Sequence, residues 1–381
     1  MMQTMNQLRT IVGFIFLCMW NFPIQGQELP WNGVDVSELT QVEKGGAKFY
    51  EWSQKDNKGW ETPVPNILAN HGVKVARLRL WHGPKDGVNG LDYNLKLGQR
   101  MHNNGIKILL DFHFSDWWAD PTHQWKPEAW KNLYYYNGLP EAVRAYVRDV
   151  ANAFISRGIP LVGVQLGNEI SSGMMWPDGK VGGDYDTEEQ WWKLGELFKH
   201  AREGLEWAYW GKTLPKVVVH LDDGGNKELS RWFFNNLIAQ GVNFDVIGVS
   251  FYPWWHGTIS DLKENLEFCI NEFGKHVAVV ETSYPWTLQW YDTKNNIVGS
   301  ETQLHKGYPA TKAGQAAFLH DVKMVVACLP NNRGLGVLYW AGTWVASVGW
   351  RSFYENQALF DNWGYPTPAL DVLKTAQNIF G

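Results

Sequence analysis

Charged residues are few in this sequence. Asp, Glu, Lys and Arg together make up 19% of its 381 residues, the net charge is −5, and no segment concentrates basic side chains. Binding to nucleic acid or to an acidic membrane surface depends on a positive surface, so neither partner is expected. Hydrophobic residues make up 45%, which suffices for a large core and excludes a mainly disordered chain.

Cysteine is scarce, with three residues in the chain. Cys269 and Cys328 each lie in a segment with helical patterning, so buried free thiols are the expected state. A disulfide between them stays open, because the sequence does not supply its geometry. Their spacing does not match a metal-binding motif. Lipid attachment at Cys18 is disfavoured, because Leu17 before it is not a small residue.

Long apolar runs are missing beyond the N-terminus, so no transmembrane helix is expected there. At the N-terminus, Arg9 precedes an apolar stretch over residues 11–20, which is followed by Gly26. This pattern predicts a signal peptide over residues 1–26 and one mature domain over residues 27–381. The protein is therefore expected to be exported, as a secreted, periplasmic or cell-surface protein.

Eight short apolar or β-branched runs recur along the chain, with helical patterning between them. They predict strands over residues 33–39, 75–81, 107–114, 162–169, 216–222, 245–252, 276–282 and 334–340. The clearest helical segments are residues 91–103, 141–157, 188–207, 230–239 and 315–329. Strands that alternate with helices pair in parallel, and eight such units close as an α/β fold of the (β/α)8 TIM-barrel type. An open doubly wound sheet is disfavoured, because no glycine-rich phosphate loop follows the first strand.

Three stretches between these elements are predicted to be irregular: residues 45–62, 116–139 and 284–313. The last two follow the third and seventh strands. In a barrel the loops after the strands form the catalytic face, so these two loops are expected to serve the function.

Two of the apolar runs end in glutamates, Glu169 on the fourth strand and Glu281 on the seventh. Cleavage of a glycosidic bond uses two carboxyl groups of unlike protonation state. Glu281, near an arginine and the Tyr252 hydroxyl, is expected to stay ionised and act as nucleophile. Glu169, near the charge of Glu281, is expected to have a raised pKa and to act as acid and then base.

Other polar and aromatic residues surround these strand ends. Alternation places Arg77 and Arg79 on one face. If that face points inward, Glu281 and Asp35 are the candidate partners of the guanidiniums. Asn168 is expected to donate a hydrogen bond to the sugar 2-hydroxyl. The predicted sugar-binding residues are Asp35, Arg77, Arg79, His113, Asp116, Trp118, Asn168, His220, Tyr252 and Trp340.

Tryptophan is abundant, with 23 residues, and aromatic residues make up 15% of the chain. Indole rings fill cores, which explains many of them. Others lie beside polar residues at predicted strand ends, where their flat faces suit the C–H faces of sugars: Trp81, Trp117, Trp118, Trp254, Trp255, Trp286 and Trp340. Their placement favours a sugar-binding cleft over packing alone.

Segments spread over nearly the whole mature chain resemble the endo-β-1,4-galactanases of glycoside hydrolase family 53. The most specific is the segment from His113 to Pro121, with its Asp-x-x-Ala-Asp-Pro core. The resemblance implies a (β/α)8 barrel with endo activity. It implies cleavage of β-1,4-galactosidic bonds in galactan, type I arabinogalactan or galacto-oligosaccharides, with retention of anomeric configuration. It also implies that Glu169 is the acid/base and Glu281 the nucleophile. Around the cleaved sugar it places Arg77, His113, Asn168, His220, Tyr252 and Trp340.

The chain departs from the family pattern after Trp340, where Ala341-Gly342-Thr343-Trp344 replaces the frequent Glu-Pro-Ala-Trp. A different local loop is therefore expected. Some bacterial members hold a structural calcium in the loop after the seventh strand. Here that loop offers oxygen ligands, and a calcium site and a solvated loop both stay open. The candidate ligands are Asp292, Asn295 and Asn296.

Two alternatives to galactan cleavage remain at this point. The catalytic pair does not distinguish galactan from mannan, glucan or xylan, because substrate choice lies in the loops. A non-catalytic sugar-binding barrel is disfavoured by the presence of both glutamates. The chemistry requires no cofactor, and a monomer is expected.

Overall fold

The eight predicted strands form a closed parallel barrel. The computed structural model describes residues 27–53 and 57–374. The predicted signal peptide and Cys18 lie outside the described residues. The barrel strands are β1 Gly33–Asp35, β2 Val75–Leu80, β3 Lys107–Phe112, β4 Leu161–Leu166, β5 Lys216–Leu221, β6 Val246–Ser250, β7 His276–Thr282 and β8 Gly334–Tyr339.

Each barrel strand pairs with its neighbours in chain order, and β8 closes the ring against β1. The register places Asp35 beside Arg77 and Arg79 beside Asp111. All these pairs are parallel, so every strand presents its C-terminal end on the same face. The (β/α)8 prediction is confirmed.

Most strands end before their predicted C-terminal residues. β1 ends at Asp35 rather than residue 39, and β6 ends at Ser250 rather than residue 252. After β3 and β4 the chain turns away through Phe114 and Glu169, which have positive φ angles of 50° and 48°. The first loop residues therefore carry part of the site.

Helices follow the strands and form the outer layer. They are α1 Val64–Asn70, α2 Leu91–His102, α3 Leu139–Ser156, α4 Glu188–Ala208, α5 Lys227–Ala239, α6 Ile259–Phe273, α7 Lys312–Ala327 and α8 Pro368–Val372. Short helices also span Leu39–Lys44 and Pro253–His256. The five predicted helices are confirmed with shifted ends. α5, for example, begins three residues earlier than predicted, because the Asn226 side chain accepts a hydrogen bond from the backbone N–H of Leu229 and caps the helix.

The prediction that residues 45–62 are irregular is wrong in part. Strands Tyr50–Ser53 and Lys58–Glu61 form an antiparallel hairpin outside the barrel. Tyr365 stacks on Tyr50 with ring centroids 5.3 Å apart and also contacts Trp52. Aromatic residues that alternate with polar ones suit a half-buried hairpin, and the polar composition of the segment concealed this pattern.

The barrel interior has an apolar lower part closed by Trp31. Its residues are Trp31, Val75, Leu109, Val218, Val246, Ala278, Val280, Leu335 and Leu338. Gly336 is required here, because a Cβ at this position would lie 2.4 Å from the Trp31 backbone. A larger core fills the space between strands and helices. The inward-facing polar residues therefore lie above an apolar layer.

Both cysteines in the described part of the chain are free thiols. Cys269 is buried, as expected, but Cys328 is exposed, so the prediction of burial is wrong for that residue. Cys328 lies directly after the last residue of α7 and faces away from the core. Among the described residues, none of the helices is both long and apolar enough to cross a membrane.

Candidate active site

A cleft of about 730 Å³ opens at the C-terminal ends of the strands. Its floor contains Glu169 and Glu281, and their facing carboxylate oxygens lie within 4.8 Å of each other. The walls are largely aromatic and come from the loops after β2, β3, β6 and β8. The aromatic lining residues are Trp81, Trp117, Trp118, Tyr252, Trp255, Trp340, Trp344, Trp350, Phe353 and Tyr354.

Glu281 points inward because the strand register shifts beside it. Ala278 and Val280 already face the interior, so strict alternation would turn Glu281 outward. The pairing of β6 with β7 shifts between Val249 and Ser250, so that Ser250 lies opposite Glu281. A bulge of this kind re-aims a side chain, and here it directs the carboxylate to the cleft.

The Glu281 carboxylate is held by a cation and a phenol. Arg77 Nη1 contacts Glu281 Oε1 at 2.8 Å, and the Tyr252 hydroxyl donates to Oε2 at 3.0 Å. Burial raises the pKa of Glu281 to about 7, against the opposing effect of Arg77. Both contacts favour the ionised form, as a nucleophile requires.

Glu169 has the opposite environment. It is partly exposed to the cleft, and Ser250 Oγ donates to its Oε1 at 2.6 Å. Burial and then the charge of Glu281 raise the pKa of Glu169 well above its usual value. Because the Arg77 guanidinium contacts Glu281 directly and does not contact Glu169, Glu281 is the group that ionises first as pH rises.

Arg77 is the centre of a buried polar layer beneath the cleft floor. Its guanidinium contacts Asp35 at 3.1 Å, Asp111 at 2.8 Å and Asn168 Oδ1 at 2.8 Å, in addition to Glu281. Burial alone would lower the pKa of Arg77, but the surrounding carboxylates outweigh burial and raise it. The predicted pairing of Arg77 with both Glu281 and Asp35 is confirmed.

Arg79 is fully buried and lies under the aromatic wall. It pairs with Glu38, which the sequence did not suggest, and its guanidinium carbon lies 3.8 Å from the centre of the Trp118 ring. A desolvated cation against an indole face is a favourable contact that fixes the ring. The position of Arg79 indicates that it supports Trp118 instead of contacting a sugar directly.

The ten predicted sugar-binding residues divide into groups by position. Trp118, Asn168, Tyr252 and Trp340 line the cleft. Asn168 uses Nδ2 to donate to Ala119 O at 2.8 Å, so one amide proton remains for a ligand. Below the floor lie Asp35, Arg77, Arg79, His113 and His220, all of them buried.

Asp116 and His113 organise the loop after β3. The Asp116 carboxylate accepts hydrogen bonds from the backbone N–H groups of Gly83 at 2.7 Å and Glu128 at 2.8 Å. His113 Nδ1 accepts from Ala119 N at 3.1 Å, and His113 Nε2 lies 3.0 Å from Asp111. Burial lowers the pKa of His113. Both residues therefore shape the wall that carries Trp118.

Several cleft residues were missing from the predicted set. Trp344, Trp350 and Tyr354 pack around Trp340 in the loop after β8, where the family pattern is interrupted. Their abundance in one short segment was the available signal. Asp222 also lines the cleft, and burial raises its pKa to about 6. Asp222 directly follows β5 and is the last residue of the predicted strand over residues 216–222.

Two groups of residues could be considered as metal ligands. Glu169, His220 and Glu281 offer donor atoms within 4.8 Å of one another, but both nitrogens of His220 face protein partners. In the loop after β7, Asp292 accepts hydrogen bonds from the N–H groups of Lys294 at 2.5 Å and Ser352 at 2.7 Å. Asn295 is exposed and Asn296 is buried. The calcium site stays a prediction.

Comparison with known proteins identifies the family. The sequence model described as Glycosyl hydrolase family 53 matches residues 31–373. The chain belongs to glycosyl hydrolase family 53. It is therefore a glycoside hydrolase, and the resemblance seen in the sequence is confirmed.

Relatives in family 53 match over almost their full lengths. An arabinogalactan endo-β-1,4-galactanase of Humicola insolens is 32% identical over 352 residues, covering 90% of this chain and 98% of the relative. A protein of Niallia circulans described as uncharacterised is 37% identical, covering 90% of this chain and 93% of that protein. The solved family 53 catalytic domain of Ignisphaera aggregans is 34% identical with a TM-score of 0.82, covering 93% and 98%.

Proposed function

We propose that this protein is an endo-acting β-1,4-galactanase that hydrolyses galactan with retention of anomeric configuration. The observation that carries the proposal is the facing pair Glu169 and Glu281, with carboxylate oxygens within 4.8 Å. Retaining glycosidases place their carboxyl groups about 5–5.5 Å apart, whereas inverting ones leave about 6.5–9.5 Å for a water molecule. The pair fits the first arrangement.

In the first step, Glu281 attacks the anomeric carbon of the bound galactosyl unit. The carbon–oxygen bond to the leaving sugar breaks as Glu169 transfers its proton to that oxygen. Arg77 and Tyr252 favour the ionised form of Glu281 and fix its position before attack. Asn168 is placed to donate its remaining amide proton to the sugar 2-hydroxyl.

In the second step, water replaces the leaving sugar. Glu169, now a carboxylate, takes a proton from the water. The water oxygen attacks the anomeric carbon, and the bond between that carbon and Glu281 breaks. Two inversions give net retention, and Glu169 ends the cycle protonated. The two glutamates complete both steps without a cofactor.

Galactan as substrate is supported by the full-length match to the Humicola insolens galactanase. Endo action is supported by an aromatic cleft that is open at the barrel face, where successive sugars of a chain can stack. Incubation with purified β-1,4-galactan tests both, with product sizes followed over time. Early oligosaccharides of mixed length support the proposal, and release of single sugars from the first minutes contradicts endo action.

The same assay tests the alternatives when mannan, glucan and xylan are run beside galactan. Cleavage of one of these with galactan untouched would replace the substrate assignment while keeping the mechanism. Binding of galactan without new reducing ends would favour the non-catalytic barrel.

The mature protein is proposed to begin near residue 27, after removal of residues 1–26, and to act as an exported monomer. The support is the N-terminal pattern of Arg9 followed by the apolar stretch. Mass spectrometry of the exported protein measures the cleavage point and any lipid at Cys18. Light scattering measures its mass in solution.

A further inference from the structure

Three hydrogen bonds form a closed ring that begins and ends on Glu169. The backbone N–H of Glu169 donates to His220 Nδ1 at 3.3 Å. His220 Nε2 lies 2.9 Å from Ser250 Oγ, and Ser250 Oγ donates to Glu169 Oε1 at 2.6 Å. Both His220 and Ser250 are fully buried below the cleft. The mechanism given above uses neither residue.

The backbone of Glu169 makes this ring feasible. Its φ angle of 48° lies in the left-handed region, which a glutamate seldom occupies. That turn directs the N–H of Glu169 back to the imidazole on β5 while its carboxylate meets Ser250 at the end of β6. The strained backbone and the ring therefore belong to one arrangement.

The donors around His220 determine its tautomer. The backbone N–H of Glu169 can only donate, so Nδ1 must accept and the ring proton must lie on Nε2. Gln165 Nε2, at 3.0 Å from Nδ1, is a second N–H donor on this side. Asn168 Oδ1 lies 3.1 Å away, but it already accepts from Arg77. Nε2–H then donates to Ser250, whose hydroxyl is left to donate to Glu169.

The imidazole is held neutral in this place. Burial and the nearby charge of Arg77 lower the pKa of His220 well below its usual value, and His113 and His256 add to the effect. A protonated ring would also place an N–H against the N–H of Glu169. A neutral imidazole keeps Nδ1 as an acceptor, so the ring of hydrogen bonds keeps one direction.

We propose that His220 and Ser250 are positioning residues that keep Glu169 Oε1 as a hydrogen-bond acceptor, so that the proton donated to the leaving sugar is carried by Oε2. This inference rests on the proposed role of Glu169 as acid/base. In the first step the Oε2–H bond breaks and the proton moves to the glycosidic oxygen. In the second step Oε2 takes a proton from water. Oε1 accepts the hydrogen bond from Ser250 in both steps, so the direction of the three hydrogen bonds never has to reverse.

The test compares Ser250→Ala with Ser250→Thr, which keeps a hydroxyl. Two substrates are used: galactan, whose leaving sugar needs a proton, and a dinitrophenyl β-galactobioside, whose leaving group needs none. For Ser250→Ala we expect kcat/KM on galactan to fall about 10-fold to 100-fold, within the range of a general-acid contribution. We expect the aryl substrate to change by less than about 3-fold, and Ser250→Thr to recover most of the galactan activity.

A pH profile provides a second readout. Ser250 stabilises the ionised form of Glu169, so its loss should raise the pKa of Glu169 and move the basic limb of kcat/KM to higher pH. The charges that also face Glu169 are Glu281, Asp222 and Arg77, and Ser250→Ala leaves them unchanged. A role in folding alone would lower kcat/KM equally on both substrates and leave the basic limb of the profile at the same pH. An equal loss on both substrates, or an unshifted basic limb, would overturn the inference.

His220→Ala serves as the second variant if Ser250→Ala does not fold, as judged by circular dichroism. It removes both the Nε2–H that donates to Ser250 and the Nδ1 that accepts from the Glu169 N–H, so the same selective loss on galactan is expected. Loss on both substrates alike would again overturn the inference. Wild-type turnover separates the two proposals. If wild type cuts a glycan other than galactan, the substrate proposal fails, and the variants are compared on that glycan and its dinitrophenyl glycoside.

Discussion

Arg77 Nη1 lies 2.8 Å from Glu281 Oε1, and both groups are removed from solvent. The same guanidinium contacts Asp35 and Asp111, so one cation serves three buried carboxylates. Buried charges of this kind are stable only when each has its partner. The contact therefore links the ionisation of Glu281 to the stability of the barrel, and both effects can be measured.

Replacing Arg77 by Met should destabilise the fold. Three carboxylates would lose their shared cation, and breaking a buried ion pair costs about 3–5 kcal/mol. Urea unfolding at neutral pH measures the difference. Arg77→Lys keeps the charge without the planar fork and should lose less. If Arg77→Met changed the free energy of unfolding by less than about 1 kcal/mol, the polar layer would not depend on this cation.

Replacing Glu281 by Gln should abolish turnover of galactan and leave oligosaccharide binding intact. The amide is close in shape but cannot form the glycosyl bond. Calorimetric titration with galactotetraose measures binding, and reducing-end release measures turnover. The matched control is Glu355→Gln, a buried glutamate outside the cleft lining. Turnover by Glu281→Gln near the wild-type rate would remove Glu281 from the mechanism.

Replacing Glu169 by Ala should affect substrates according to their leaving group. Loss of a general acid typically costs about 10²–10⁴-fold, so galactan cleavage should fall by that order. A dinitrophenyl β-galactobioside should still form the glycosyl-enzyme, which then accumulates. Added azide should release it as a product with the β configuration, identified by NMR. A product with the α configuration would contradict double displacement.

Replacing Asp222 by Asn should shift the basic limb of the pH profile to lower pH. The charge of Asp222 is one of the influences that raise the pKa of Glu169, so its removal lets Glu169 ionise earlier. Glu169 acts as an acid only while protonated, so activity is then lost at lower pH. Profiles of kcat/KM against pH on galactan measure the position of the basic limb. A shift of the basic limb to higher pH would contradict the proposed effect of Asp222 on Glu169.

Replacing Trp344 by Ala should weaken galactan binding more than it slows the chemistry. Trp344 lines the cleft and packs on Trp340 with ring centroids 5.6 Å apart. Aromatic contacts of this kind contribute about 0.5–1.5 kcal/mol beyond area burial, which predicts KM raised by roughly 2-fold to 10-fold. Trp210→Ala, at an exposed site outside the cleft lining, is the control. An unchanged KM would place the polysaccharide elsewhere.

The barrel, and the placing of Glu169 and Glu281 near the ends of the fourth and seventh strands, could be predicted from the sequence, because apolar runs and their polar ends follow from the period of a strand. How far each inward-facing residue lies below the cleft floor could not be predicted in the same way. Arg79 and His220 were placed among sugar-binding residues, and both lie below the floor. Which inward residue reaches the surface depends on strand stagger, which is a property of the closed sheet.

The other features that could not be predicted depend on strand register and on the course of the loops. The inward turn of Glu281 depends on a shift beside Ser250 that no local pattern marks. Trp350 reaches the cleft through a loop whose course is set by contacts with distant segments, such as the packing of Gly349 against Gly45. Such contacts exist only after the chain has folded.

Trp31 closes the barrel floor, and its backbone N–H donates to Leu335 O at 2.9 Å. Trp31 thus lies near the start of the described chain, whereas Leu335 lies near its end. β1 likewise waits for β8 before the ring can shut. Contacts so distant in sequence are slow to form, because a long loop must close first. A growing chain that lacks β8 therefore cannot close the ring, and the apolar residues around Trp31 stay unsealed until that strand arrives.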